Sequence, residues 1–109
     1  MDYKTPYGTY KVLPIRREYL NKTLAIQLEG FNGEPISTLT VNLPDEFIMI
    51  SGENYAFVDT NNNPGAEEFI KENELGFPTG YLGHSGFCEY PLYVFNLDKL
   101  IEGRNQWKK

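Results

Sequence analysis

Apolar and polar residues alternate most regularly in two stretches, Leu24-Ala-Ile-Gln-Leu-Glu and Ile36-Ser-Thr-Leu-Thr-Val-Asn-Leu. A period of two places every second side chain on one face, the pattern of a half-buried β-strand. Between them lies Gly30-Phe-Asn-Gly-Glu-Pro, whose Asn32-Gly33 pair readily takes positive φ, so the two runs are expected to form a β-hairpin. Thr9–Tyr19 also alternates but contains Pro14, which has no N–H to give a ladder; an edge strand, or one broken at Pro14, is expected there. Pro44 stops the second hairpin strand. Phe47–Ile50 and Tyr55–Val58 are short apolar runs around Ser51-Gly-Glu-Asn that read as a further strand pair.

The period changes after Asp59. Ala66, Phe69 and Ile70 fall on one face of a helix expected over 64–75, while Glu67, Glu68, Lys71, Glu72 and Glu74 face elsewhere. Asn63 suits the N-cap, Pro64 the first helical position, Glu67 and Glu68 the positive end of the helix dipole, and Gly76 the left-handed stop. Phe77–Pro91, rich in glycine and aromatics, reads as a loop. Leu92-Tyr-Val-Phe reads as a last buried strand, and Asn96 as the cap of a short helix Leu97–Glu102 ending at Gly103. The expectation is an α+β fold with an antiparallel sheet, one main helix on one face and a short C-terminal helix.

The chain has 109 residues, 40% of them apolar and 23% charged, which suits one globular domain over 1–109 with a single core. Its ordered part is expected over about 10–103, with the first dozen residues and the last six loosely held. Eight Tyr, seven Phe and one Trp fit half-buried strands and equally a contact surface. Cys88 is the only cysteine, so no internal disulfide forms and a reducing, intracellular setting is expected. The N-terminal segment has no apolar signal-peptide core, and no apolar run approaches the roughly 18–20 residues of a membrane span.

Charge is where the chain departs from the ordinary. Between Asp45 and Glu74 lie eight carboxylates and one cation, Lys71, a sum of −7 against −5 for the whole protein, because both ends are basic. An anionic face of this kind attracts basic surfaces, above all those built for nucleic acid. The chain's own acidity disfavours direct nucleic-acid binding, which needs clustered Lys and Arg.

The candidate reaction centres fail one by one. Asp59-x-Asn61-x-Asn63 opens like a calcium loop, but Pro64 and Ile70 stand where the glycine and the bidentate glutamate belong. Gly83-His84-Ser85-Gly86 resembles a nucleophile elbow, yet Phe87 replaces its last glycine and the only histidine adjoins the serine, out of reach as its base. His84 and Cys88, even with Glu89, do not close a zinc site, and Gly76, Gly80, Gly83 and Gly86 mark turns rather than a phosphate cradle. No catalytic residue, metal or cofactor is expected. The candidate contact residues are the carboxylates Asp45, Glu46, Glu53, Glu67, Glu68, Glu72 and Glu74, with Tyr81, His84 and Phe87 as anchors on the glycine-rich segment.

Five blocks carry a resemblance: Leu24-Ala-Ile-Gln-Leu, Thr38-Leu-Thr-Val-Asn-Leu-Pro, Tyr55-Ala-Phe-Val-Asp-Thr-Asn-Asn, Gly76-Phe-Pro-Thr-Gly and Tyr90-Pro-Leu-Tyr-Val-Phe-Asn-Leu. Over Tyr10–Leu100 the chain resembles a family of small proteins of bacterial conjugative elements and phages known only as domain of unknown function 4313. Some similar proteins are anti-CRISPR inhibitors of Cas9. The resemblance therefore implies a bacterial cytoplasmic setting, a protein partner that is Cas9 or its guide-RNA complex, and no catalytic residues. The alternative is an accessory protein-binding module of a mobile element without a Cas9 role.

Overall fold

Leu24, Ile26 and Leu28 are all buried, as their alternation requires. The computed structural model describes residues 1–20, 22–43 and 54–103. Along these residues run β1 (Asp2–Thr5), β2 (Gly8–Lys11), β3 (Leu13–Glu18), β4 (Leu24–Glu29), β5 (Pro35–Thr38), β6 (Thr40–Val41), β7 (Tyr55–Val58), α1 (Ala66–Glu72), β8 (Gly76–Ser85), β9 (Cys88–Phe95), a 3-10 turn at Leu97–Lys99 and β10 (Ile101–Glu102). The strands make a ribbon, β1–β2, and two sheets ordered β10–β3–β4–β5 and β6–β7–β9–β8. Pairing is antiparallel except where β10 joins β3. The fold is thus α+β in kind, with more strand and a shorter helix than expected.

The hairpin β4–β5 forms around the Asn-Gly turn: the Gly33 N–H donates to the Gly30 carbonyl, and Asn32 Oδ1 accepts from the Glu34 N–H. Its second strand does not run on to Leu43. At Leu39 the chain changes sheets: the Leu39 N–H donates to Ile26 in the first sheet, and its carbonyl accepts from Asp59 beside the second. Leu39 is fully buried where the sheets meet, and the strand continues as β6 against β7. Thr40 Oγ1 reinforces the crossing by accepting from the Ile26 N–H. Pro14 is tolerated because β10 pairs with β3 only at Ile15 and Arg16, leaving the proline on an edge.

Several expectations are corrected. The first dozen residues are held, not loose: Tyr3 is 3% exposed, and Met1 and Val12 exchange hydrogen bonds through their backbone groups. Phe77–Pro91 is not a loop but most of the long hairpin β8–β9. Pro78, Gly80 and Pro91 fall at or beside a register shift between Pro78 and Leu82, Gly86 in the turn linking Ser85 to Cys88, and Gly83 within the ladder opposite Tyr90, where a Cβ would meet the Phe57 ring. Gly76 is no left-handed stop: it opens β8 opposite Phe95, where a Cβ would run into the Val94 carbonyl. Asn96 does cap, accepting from the Asp98 N–H, but the turn lasts three residues and Ile101–Glu102 then pair as a strand. Pro44, the run Phe47–Ile50 and the last six residues lie outside the described residues.

Asn63 is not the N-cap of α1. That position falls to Gly65, which has no side-chain capping bond. Asn63 is instead 3% exposed: its Oδ1 accepts from the Tyr3 and Ser37 hydroxyls, and its Nδ2 donates to the Thr38 and Asp59 carbonyls. One side chain so joins β1, β5 and the turn after β7. Asn63→Ala strands buried polar groups on all three, and is expected to lower stability by about 3 kcal/mol in urea unfolding with an unchanged denaturant slope. Tyr3→Phe, which removes one donor and keeps the ring, should cost about 1 kcal/mol.

Candidate functional site

Helix α1 is held by its inner face. Ala66, Phe69 and Ile70 are buried in the same core as Tyr3, Tyr93 and Phe95, and the Phe69 ring stands edge-on to Tyr3 with centroids 5.4 Å apart. That orientation turns Glu67, Glu68, Lys71 and Glu72 outward, all of them exposed. The helix ends in a Schellman motif: the Glu74 N–H donates to Lys71 and the Leu75 N–H to Ile70. Glu74, at φ 55°, occupies the left-handed position usually given to glycine, and its carboxylate is thrown out beside the groove described next.

Between α1 and the start of β8 lies an open groove of about 860 Å³. Glu67, Glu68, Lys71 and Glu74 line one side, Gly76, Phe77 and Pro78 the other, with Tyr93 below. Phe77 is 67% exposed, so a large apolar surface sits beside three carboxylates and one ammonium. Tyr93 is buried to its hydroxyl, which donates to Glu67 and fixes that carboxylate against the groove. Burial, then the hydrogen bond to Glu67 and its charge, push the Tyr93 phenol well above its ordinary value. Lys99 approaches Glu74 at 3.7 Å, but both side chains are solvated and the pair contributes little. Three basic residues near the N-terminus are paired elsewhere: Lys11 with Asp2 and Arg17 with Glu29, each at 2.6 Å, and Arg16 with Glu102 at 3.5 Å.

The groove sets an apolar ring beside carboxylates. It can receive a cation: a guanidinium or ammonium stacked on the Phe77 ring with carboxylates around it satisfies both halves of a cation–π and ion-pair site.

Of the residues singled out from sequence, Glu67, Glu68 and Glu74 come together here. Glu72 is exposed on the same helix but does not line the groove. Tyr81, His84 and Phe87 lie farther along the β8–β9 hairpin. Tyr81 is 46% exposed with its ring centroid 6.2 Å from Phe57, so part of it serves a second core cluster of Leu43, Phe57, Tyr90 and Leu92. His84 meets Glu89 at 3.1 Å on the surface, and Phe87 projects fully from the turn. Asp45, Glu46 and Glu53 lie outside the described residues. Cys88 packs against the second cluster, and Asn63, which would be a calcium ligand, spends its side-chain oxygen on Tyr3 and Ser37. Among the described residues no His, Cys, Asp and Glu group is placed to hold a metal, and no helix is long and apolar enough to cross a membrane.

Sequence reasoning missed Phe77, Pro78 and Tyr93. The available signal was the exposed register of Phe77 one residue after Gly76, legible only once Gly76 is known to open a strand.

Two consequences are measurable. Glu74→Gly relieves the left-handed strain and is expected to raise stability by about 1 kcal/mol in urea unfolding. The second concerns pH. Tyr93, with its phenol raised from 10.0, keeps its proton in the fold after the unfolded chain has begun to lose it. Its contribution is complete below pH 10.0 and declines as pH rises toward the folded value. Unfolding free energies measured on either side of pH 10.0 should show this decline, and Tyr93→Phe should make it shallower.

A family described as "Domain of unknown function (DUF4313)" matches residues 12–106. No curated protein and no solved structure matches the chain.

Proposed function

We propose that this chain, which belongs to the DUF4313 family, is a non-enzymatic protein-binding module whose acidic groove docks on a basic, nucleic-acid-reading surface. The partner is guide-loaded Cas9 in the bacterial cytoplasm, and the outcome is an anti-CRISPR block of target DNA recognition or cleavage. The observation that carries this reading is the groove itself. Glu67, Glu68 and Glu74 stand beside the exposed Phe77, an arrangement that attracts arginines and gives their planar heads an apolar ledge. Cas9 reads its PAM with arginines and holds nucleic acid in positively charged channels. Carboxylates presented there compete with phosphate by Coulomb attraction, with fast, salt-sensitive association. The hairpin residues Tyr81, His84 and Phe87 extend the contact surface beyond the groove and supply apolar anchors. His84 lies on the open surface with Glu89 rather than in a cleft, which favours a contact over a catalytic role.

The test is a titration of the protein into guide-loaded Cas9, read by gel shift for target binding and by gel for cleavage. The expected result is loss of target binding, which weakens as salt rises. The variant with glutamine at 67, 68, 72 and 74 should associate about tenfold more slowly at low salt and lose most inhibition while melting as the parent does. Equal inhibition by that variant would end the acidic-groove mechanism. No effect of the parent on Cas9, together with co-purification of a transfer or replication protein, would turn the reading to the mobile-element accessory module.

A further inference from the structure

A second groove, of about 520 Å³, lies between the β1–β2 turn, the start of β5 and the loop before α1. None of the twelve residues lining it is charged, in a chain where 23% of residues are. Tyr7 and Tyr10 form its outer wall, 91% and 40% exposed, and Pro6, Pro35 and Pro64 face the same space. The position of Tyr7 is set by its turn: Thr5 Oγ1 accepts the Tyr7 N–H and donates to the Gly8 carbonyl. From these features we infer that the groove is a binding site for a proline-rich segment of a partner protein in the polyproline II conformation.

The inference rests on matching charge and hydrogen-bond capacity. A charged ligand would lose its hydration against a lining that offers no opposite charge. A sugar carries a hydroxyl on most of its carbons, and each needs a partner once it leaves water. The innermost side-chain donors of this groove are committed. The Tyr3 and Ser37 hydroxyls are bonded to Asn63, and the Asn62 side chain to Asp59. What remains for a ligand is ring surface, the two outer tyrosine hydroxyls, the Asn61 amide and the Asn62 side-chain oxygen. A polyproline II segment suits that set: it has no internal hydrogen bonds, its prolines have no N–H, and on any one face a carbonyl recurs every three residues between apolar rings. Its stiffness also keeps the entropic cost of docking small.

The probe is a decaproline peptide titrated into the isotope-labelled protein and followed by NMR. Saturable shifts are expected at the backbone amides of Tyr7, Gly8, Tyr10 and Asn61, with an affinity that changes less than about twofold between low and high salt, since no charges pair. Tyr7→Ala should weaken binding about tenfold without moving the melting temperature, because the ring is exposed and packs on nothing inside. Asn61→Ala, at the opposite wall, should weaken it by a smaller factor. Absence of shifts at millimolar peptide, binding by Tyr7→Ala equal to the parent, or saturable shifts with maltotetraose but not decaproline would each overturn the inference. The quadruple glutamine variant of α1 should bind decaproline as the parent does, which separates this groove from the acidic one.

Discussion

The fold is organised around the burial of one amide. Asn63 has a donor pair and an acceptor that must all be satisfied once it is enclosed, and no single neighbouring element can do so. The Tyr3 hydroxyl, the Ser37 hydroxyl and the Thr38 and Asp59 carbonyls do it together. Each of these comes from a segment that would otherwise be free to drift: an N-terminal ribbon of four-residue strands, the exposed edge strand β5, and the turn after β7. Because the Ala66 N–H also donates to the Asn63 carbonyl, the start of α1 is set by the same residue. Apolar contacts supply most of the free energy, but they are tolerant of small slides. The amide is not, and so it fixes which way the ribbon, the sheet and the helix face.

Both grooves inherit their shape from that arrangement. The neutral one is bounded by the ribbon, β5 and the loop that Asn63 itself closes. The acidic one depends on the other end of α1, where a short helix stops against β8 and leaves Glu74 and Phe77 facing across a gap. The seven residues of α1 are too few to hold a helix alone, so its position follows from Phe69 and Ile70 in the core. The same brevity leaves Phe77 and Pro78 uncovered.

Short-range signals were readable in the chain. The Asn32-Gly33 turn, the run Tyr55–Val58, the buried Leu92–Phe95 and the Asn96 cap all appear where local pattern puts them. What escaped depends on partners distant in sequence. Asn63 followed by Pro64 has the local signature of a helix start, and only Tyr3, sixty positions away, reveals its buried role. The segment from Phe77 to Pro91 carries loop composition, yet pairing with β9 turns those glycines and prolines into features of a strand. The break at Leu39 was invisible for a similar reason: both halves alternate correctly, and only the second sheet calls the chain away. In the groove, charge made Glu67, Glu68 and Glu74 legible, whereas Phe77 required knowing that a strand opens at Gly76, and Tyr93, on a strand that was read, required knowing that its hydroxyl meets Glu67 of α1.

The register shift between Pro78 and Leu82 bears on how the molecule behaves among its own copies. Among the described residues β8 is an outer strand of its sheet and the longest strand, and a straight strand of ten residues would present an unbroken row of backbone donors and acceptors to a neighbouring chain. Pro78 removes one donor from that row. Thr79, whose hydroxyl bonds Leu92 and accepts the Tyr81 N–H, folds the next groups back on the protein itself. The irregularity that disguised this strand as a loop thereby leaves an aggregating copy only short stretches of edge to align with.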